Sequence, residues 1–244
     1  MIENNPVSGA NYLLQGLKLL FRPGLRRFVM MPLLINILTF SALAWIGITQ
    51  FENLLDWMLP QDSWLHYFRY ILWPLFAIAA VLVTFYSFTI VANLLAAPFN
   101  GLLAEKVEQL LTGKPPAQPT QGLAQSIWPA LRSELIKLRY FILRAIPLLI
   151  LFLIPILNII APILWTLFGI WYLALEYADY PMANSGLGFK EQHEKLKQMR
   201  MTAVGFGGGL TLLMMIPILN FAAMPAAVSG ATAMWCSRKQ SVNL

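Results

Sequence analysis

The chain has 244 residues, of which 58% are hydrophobic and only 11% charged, against about 25% charged in an average soluble domain. A soluble fold of this length has no core large enough to hide that much apolar surface, so lipid is expected to cover it, as one membrane domain over 1–244. The net charge of +6 is clustered between long apolar runs, as topology signals are, which argues against a nucleic-acid partner. A single cysteine, Cys236, and no His/Cys grouping exclude an internal disulfide and give no metal or cofactor pattern.

The N-terminal stretch does not read as a secretory signal, because Lys18, Arg22, Arg26 and Arg27 come late and no small-residue cleavage site follows. In residues 8–21, Leu13, Leu17 and Leu20 recur at helical spacing, which predicts a short amphipathic helix lying in the membrane interface. Pro23 and Gly24 break it. Residues 28–51 are uncharged, and a span needs about 20 residues, so they form the first predicted transmembrane helix. The segment 52–69 carries Asp56, Asp62, His66 and Arg69 with Trp57, Trp64, Tyr67 and Tyr70, a headgroup belt. Residues 70–104 form the second transmembrane helix, long enough to tilt or to leave the bilayer. Residues 112–122 read as a Pro/Gly-rich loop, and 124–144 as a basic helix running into the next apolar segment.

The two remaining apolar segments, 145–175 and 201–237, are interrupted by prolines and share one word: Ile154-Pro155-Ile156-Leu157-Asn158 and Ile216-Pro217-Ile218-Leu219-Asn220. The repetition points to two copies of one unit. From Thr202 to Ile216 a helix reaches roughly 22 Å, short of the hydrocarbon core of about 30 Å. Each copy therefore reads as a half-penetrating helical hairpin with Pro-Ile-Leu-Asn at its tip, the Asn capping the second arm. The competing reading is four short full spans. The expected fold class is thus all-α integral membrane: two long transmembrane helices, two Pro/Asn-tipped hairpins, and amphipathic or cytoplasmic helices. Of all Lys and Arg, only Arg69 lies between the two long helices, so both termini are expected in the cytoplasm of a multi-pass protein.

Three constellations are candidates for function. Gly24, Leu25, Arg26 and Arg27 stand where the first long helix opens, with Leu25 to Phe28 as its first turn. Free N–H groups, the positive dipole end and two forked guanidiniums together suit a tetrahedral oxyanion; ordinary topology signalling by Arg26 and Arg27 is the other reading. Tyr86, Asn93 and Asn100, spaced by seven, share one helix face, as helix–helix hydrogen bonding or as an uncharged conduit lining. Glu176 and Asp179, one turn apart, are either a solvated helix end or partners of Arg132, Arg139 or Arg144 at a cytoplasmic gate. Gly205 and Gly207 to Gly209 are expected to allow close helix packing, and 190–200 a solvated helix with Glu191 and Lys195 at i,i+4. His66 and His193 both fall in polar segments, so catalysis has no support.

Pro23-Gly24-Leu25-Arg26-Arg27, the Ala97-Pro98-Phe99-Asn100 helix end, Glu176 with Asp179-Tyr180-Pro181, and the tail from Pro217 through Leu219-Asn220 and Pro225 to Gly230-Ala231-Thr232 resemble the CysZ family of sulfate permeases over nearly the whole chain. The resemblance implies sulfate uptake across the bacterial inner membrane for cysteine synthesis, two long helices with two hairpins, homo-oligomers, and sulfate held by Gly24, Leu25, Arg26 and Arg27. The conduit through Tyr86, Asn93 and Asn100 is not implied by it. The expected function is channel-like or facilitated sulfate transport without nucleotide; the alternative is a non-transporting scaffold or regulator that binds an anion or a partner on its basic face.

Overall fold

A computed structural model describes residues 4–58, 67–114 and 123–242, with side chains for all of these except 29, 32–33, 35–36, 58, 83–98, 123–131, 218, 221 and 242. Among the described residues the chain is all-α, without a strand. Within these residues eight α-helices follow one another: α1 Pro6–Leu20, α2 Arg26–Met58, α3 Arg69–Thr112, α4 Leu123–Leu153, α5 Ala161–Ala183, α6 Phe189–Gln198, α7 Arg200–Met214 and α8 Pro217–Val242. Helices α2 and α3 contain the two predicted transmembrane runs. The first extends past Phe51 to Met58, so Glu52 and Asp56 are helical. Most of the predicted loop at 112–122 lies outside the described residues, as do His66, Asp62 and Trp64.

The chain divides into two compact units, Met30–Ala96 and Met1–Val29 with Ala97–Leu244. In the first, the end of α2 meets the start of α3. Phe51 stacks on Phe76 with centroids 3.8 Å apart, and Trp73 sets its edge against both. Arg69 Nη1 donates to Asp56 Oδ1 at 2.7 Å. Leu34, Ile37, Leu38, Leu43, Trp45 and Ile46 are exposed along α2, and Ile71, Leu75, Ile78 and Val81 along α3. Water tolerates contiguous apolar patches of only a few hundred Å².

The larger unit has a true core, built from α1, α5 to α8 and the end of α3. The predicted amphipathic helix forms as α1, but its apolar face is not left for the membrane interface. Gly9, Leu13, Gly16, Leu19 and Leu20 are buried, and α1 packs on α7 and α8. Glycines permit this approach: a Cβ on Gly9 would strike the backbone of Thr202 and Phe206, one on Gly16 that of Ala226 and Gly230, and one on Gly205 that of Pro6. The interior of a folded domain outcompetes the interface for such a face, because small residues let backbones close and gain dispersion contacts. Gly207 likewise abuts Ile170, while Gly208 faces open space, so three of the four clustered glycines serve packing. The N-terminus of α7 is capped from the other end of the chain: Asn4 Oδ1 accepts from the N–H groups of Met201 and Thr202 at 3.0 and 3.2 Å.

The repeated word falls at two helix-to-helix turns. Residues 154–160 join α4 to α5 through a 3-10 turn, Leu157–Ile159, with Ile156 at φ +74°. Met215 and Ile216 join α7 to α8, and Pro217 opens α8 without needing a donor there. Neither Asn caps a helix as expected. Ile160 is the cap residue of α5, without a side-chain bond, and Asn220 lies inside α8, its N–H bonded to Ile216 O at 2.9 Å. Proline's fixed φ suffices to start each second arm. Both turns are apolar and bare: Leu153 is 82% and Ile156 81% exposed, and Met215 is also exposed. Burial is concentrated instead at Ala174–Met182 of α5 and Ala223–Cys236 of α8. Among the described residues one helix, α5, is long and apolar enough to cross a membrane.

Candidate anion site and buried charge cluster

Phe21 to Leu25 form the turn between α1 and α2. Gly24 adopts φ +91°, a conformation that costs a residue with a Cβ about 1–2 kcal/mol. Leu25 is 2% exposed and anchors the turn in the core. Helix α2 begins at Arg26, one residue later than expected. The Leu25 N–H is used by Arg22 O at 3.2 Å, and the Phe28 N–H by Leu25 O at 3.0 Å. The N–H groups of Gly24, Arg26 and Arg27 donate to no backbone carbonyl among the described residues. These, rather than the four from Leu25 to Phe28, are the donors the turn presents at the positive end of α2.

The two arginines diverge. Arg26 folds back, its Nε and Nη2 donating to Phe21 O at 3.2 and 3.0 Å. Arg27 is exposed, its guanidinium 5.1 Å from the Phe28 ring centroid. It borders a hollow of about 270 Å³ lined by Pro23, Gly24, Leu25, Arg27, Lys106, Gln109 and Leu110. Among the described residues two cations and no carboxylate line it, an arrangement that attracts anions.

Glu176 and Asp179 are not a solvated helix end, and their partner is not an arginine. Both reach Lys137 of α4, whose Nζ lies 3.2 Å from Glu176 Oε1 and 3.1 Å from Asp179 Oδ2, with Glu134 Oε1 at 2.6 Å. Ser133 Oγ adds a donor to Asp179 Oδ2 at 3.4 Å. Lys137 is 1% exposed. Burial alone would lower its pKa, but Asp179, Glu176 and Glu134 outweigh it and hold the ammonium well above the ordinary lysine value. Arg132 and Arg139 are exposed, and Arg144 lies over the Tyr140 ring, 3.7 Å from its centroid. Lysine prevails because residues 133 and 137, one turn apart, face α5, whereas 132 and 139 point away.

Of the predicted polar stripe, the side chains of Tyr86 and Asn93 lie outside the described residues. Asn100 is 6% exposed, with its Nδ2 unpartnered. Next to it, Asn184 Nδ2 donates to Gly101 O at 3.0 Å. His193, in α6, sits against Tyr140, Trp171 and Phe189. Burial there, then Lys197 and Arg144, lowers its pKa against the opposing pull of Glu194. Glu191 reaches back to the Gly188 N–H at 2.9 Å rather than forward to Lys195.

Residues 12–225 match the family described as "Sulfate transporter CysZ/Etoposide-induced protein 2.4". The chain belongs to that family. It is 45% identical to the sulfate transporter CysZ of Pseudomonas fluorescens over 98% of this chain and 96% of that one. It is also 45% identical to that of Pseudomonas aeruginosa, over 94% of each, and 44% identical to that of Pseudomonas syringae pv. tomato, over 94% of this chain and 92% of its relative. The resemblance read from Pro23-Gly24-Leu25-Arg26-Arg27 and Asp179-Tyr180-Pro181 thus extends along the CysZ relatives almost end to end. These relatives are named as transporters, not enzymes.

Proposed function

We propose that this chain carries sulfate across the bacterial inner membrane, as a channel-like or facilitated permease, and so supplies cysteine synthesis. The observation that carries the reading is the hollow at the start of α2, bordered by Arg27 and Lys106, in a chain 45% identical to proteins named sulfate transporters. Backbone N–H groups, the dipole end and guanidinium donors replace part of the hydration shell of a dianion. Gly24, Leu25, Arg26 and Arg27 form this site. Uncharged side chains, Tyr86, Asn93 and Asn100, then pass the ion on without trapping it. Arg132, Glu176 and Asp179 stand at the cytoplasmic base, where α4 meets α5.

The chain is a multi-pass membrane protein with both termini in the cytoplasm, a reading supported by the distribution of Lys and Arg. Residues 28–51 and 70–104 cross the bilayer. The segments 145–175 and 201–237 enter it as hairpins, and the bare apolar turns at Leu153–Ile160 and Met215–Ile216 support that reading. Lipid covers the exposed apolar residues, and copies of the chain associate as a homo-oligomer. Uptake of radiolabelled sulfate into liposomes tests the site: the Arg26→Ala, Arg27→Ala protein should take up far less than wild type. Equal uptake would remove the site, and no uptake by wild type would leave an anion-binding scaffold.

A further inference from the structure

We infer that Lys106 and Gln109 of α3 form the second wall of the anion site and set its preference for a doubly charged ion. The inference rests on the reading that the turn at Gly24–Arg27 binds sulfate.

Lys106 and Gln109 stand three residues apart on α3 and so share a face. Both border the hollow that also receives Pro23, Gly24, Leu25 and Arg27. Lys106 Nζ donates to Gln109 Oε1 at 3.0 Å. That bond occupies the acceptor end of the amide and leaves its Nε2 donors, and two further ammonium protons, for a ligand. The side that repels an anion is thereby tied off. Arg27 on one wall and Lys106 on the other total two positive charges, equal and opposite to a sulfate ion. Among the described residues no carboxylate lines the space; Glu108 of α3 pairs with Lys239 Nζ at 2.8 Å.

Arg26 donates two of its N–H groups to Phe21 O, which ties the end of α1 to the start of α2 beside Gly24 at its positive φ. A Cβ on Gly24 would meet nothing within 4 Å, so the turn is open on the side where an oxyanion approaches the backbone. A monoanion neutralises only one of the two facing cations, whereas a dianion satisfies both, and the second wall therefore selects on charge.

Equilibrium dialysis of radiolabelled sulfate with purified full-length protein, over a series of ionic strengths and with nitrate as competitor, tests this. Lys106→Met and Arg27→Met should each weaken sulfate about tenfold or more, as loss of one charge-assisted contact does. Both should also flatten the dependence of affinity on salt, since each removes a screened charge from the site. Lys106→Met should in addition reduce the preference for sulfate over nitrate. If Lys106→Met binds sulfate like wild type while Arg27→Met does not, the second wall is wrong and the turn stands. If neither variant changes binding, the site itself falls. Phosphatidylglycerol added to the micelles should leave sulfate affinity unchanged; displacement by it would assign the hollow to a lipid phosphate instead.

Discussion

Replacing Lys137 by methionine keeps the length of the side chain and removes its charge. Three carboxylates lose their common partner, but they do not lose equally. Glu134 is 46% exposed, so water screens it and its contact adds little. Glu176 and Asp179 are 23% and 7% exposed at the side chain, and their contacts near 3 Å carry the interaction. At an effective dielectric of about 20, each is an attraction of about 5 kcal/mol, set against several kcal/mol for desolvating each ion. The net worth of the cluster is therefore small, but its disruption is not: two buried, adjacent carboxylates without a cation cost about 3–5 kcal/mol. At about 2–4 °C per kcal/mol for a chain of this size, Lys137→Met should lower the midpoint of thermal unfolding in detergent by about 6–20 °C. Adding Glu176→Gln and Asp179→Asn should return most of it, because neutral partners hydrogen-bond without charge. As a control, Arg69→Met breaks a pair whose acid is 56% exposed and should cost at most about 1 kcal/mol. A Lys137→Met protein that melts within about 2 °C of wild type would refute the reasoning.

Gly205→Ala should destabilise by about 1–3 kcal/mol, since its methyl group meets the Pro6 backbone; unchanged thermal unfolding would show that α1 moves aside freely. Gly24→Ala should cost about 1–2 kcal/mol through backbone strain at positive φ, again read by thermal unfolding, although the new methyl group has room. His193 should make stability fall as pH drops. Its folded pKa is lowered, so below about 6.5 the unfolded chain takes up a proton that the fold resists; stability is full above that value and declines towards the lowered pKa. His193→Gln should shrink the difference in unfolding midpoint between pH 7.5 and pH 5.5 (about one pH unit either side of the free value), and an unchanged difference would assign it to other groups.

Much of the fold was legible. The uncharged runs at 28–51 and 70–104 lie in α2 and α3, the repeated Ile-Pro-Ile-Leu-Asn word marks both turns, and Thr202–Ile216 falls almost wholly on α7. What misled was the sense of the polarity. In α4, Leu135 and Leu138 are exposed and Lys137 is buried, the reverse of a soluble amphipathic helix, because the carboxylates of Glu176 and Asp179 on α5 offer the ammonium partners inside. Lysine in a row of alternating basic and apolar residues looks solvated under the soluble rule. Its face was marked all the same, since Ser133 and Phe141 flank it at one turn on either side while Arg132 and Arg139 do not. The packing of α1 was legible only in part: Gly9 and Gly16 mark a close-approach stripe, but no local pattern names α7 and α8 as its partners, nor Asn4 as the cap of a helix 200 residues away. At the anion turn the residue types were readable and the division of labour was not, because the fold of Arg26 onto Phe21 O depends on how α1 ends.

The central claim is that the chain itself passes sulfate through a lipid bilayer. Liposomes containing only this protein, loaded with radiolabelled sulfate and diluted into sulfate-free buffer without nucleotide, measure it most directly. Efflux well above that of protein-free liposomes is expected, and efflux equal to theirs would contradict the account.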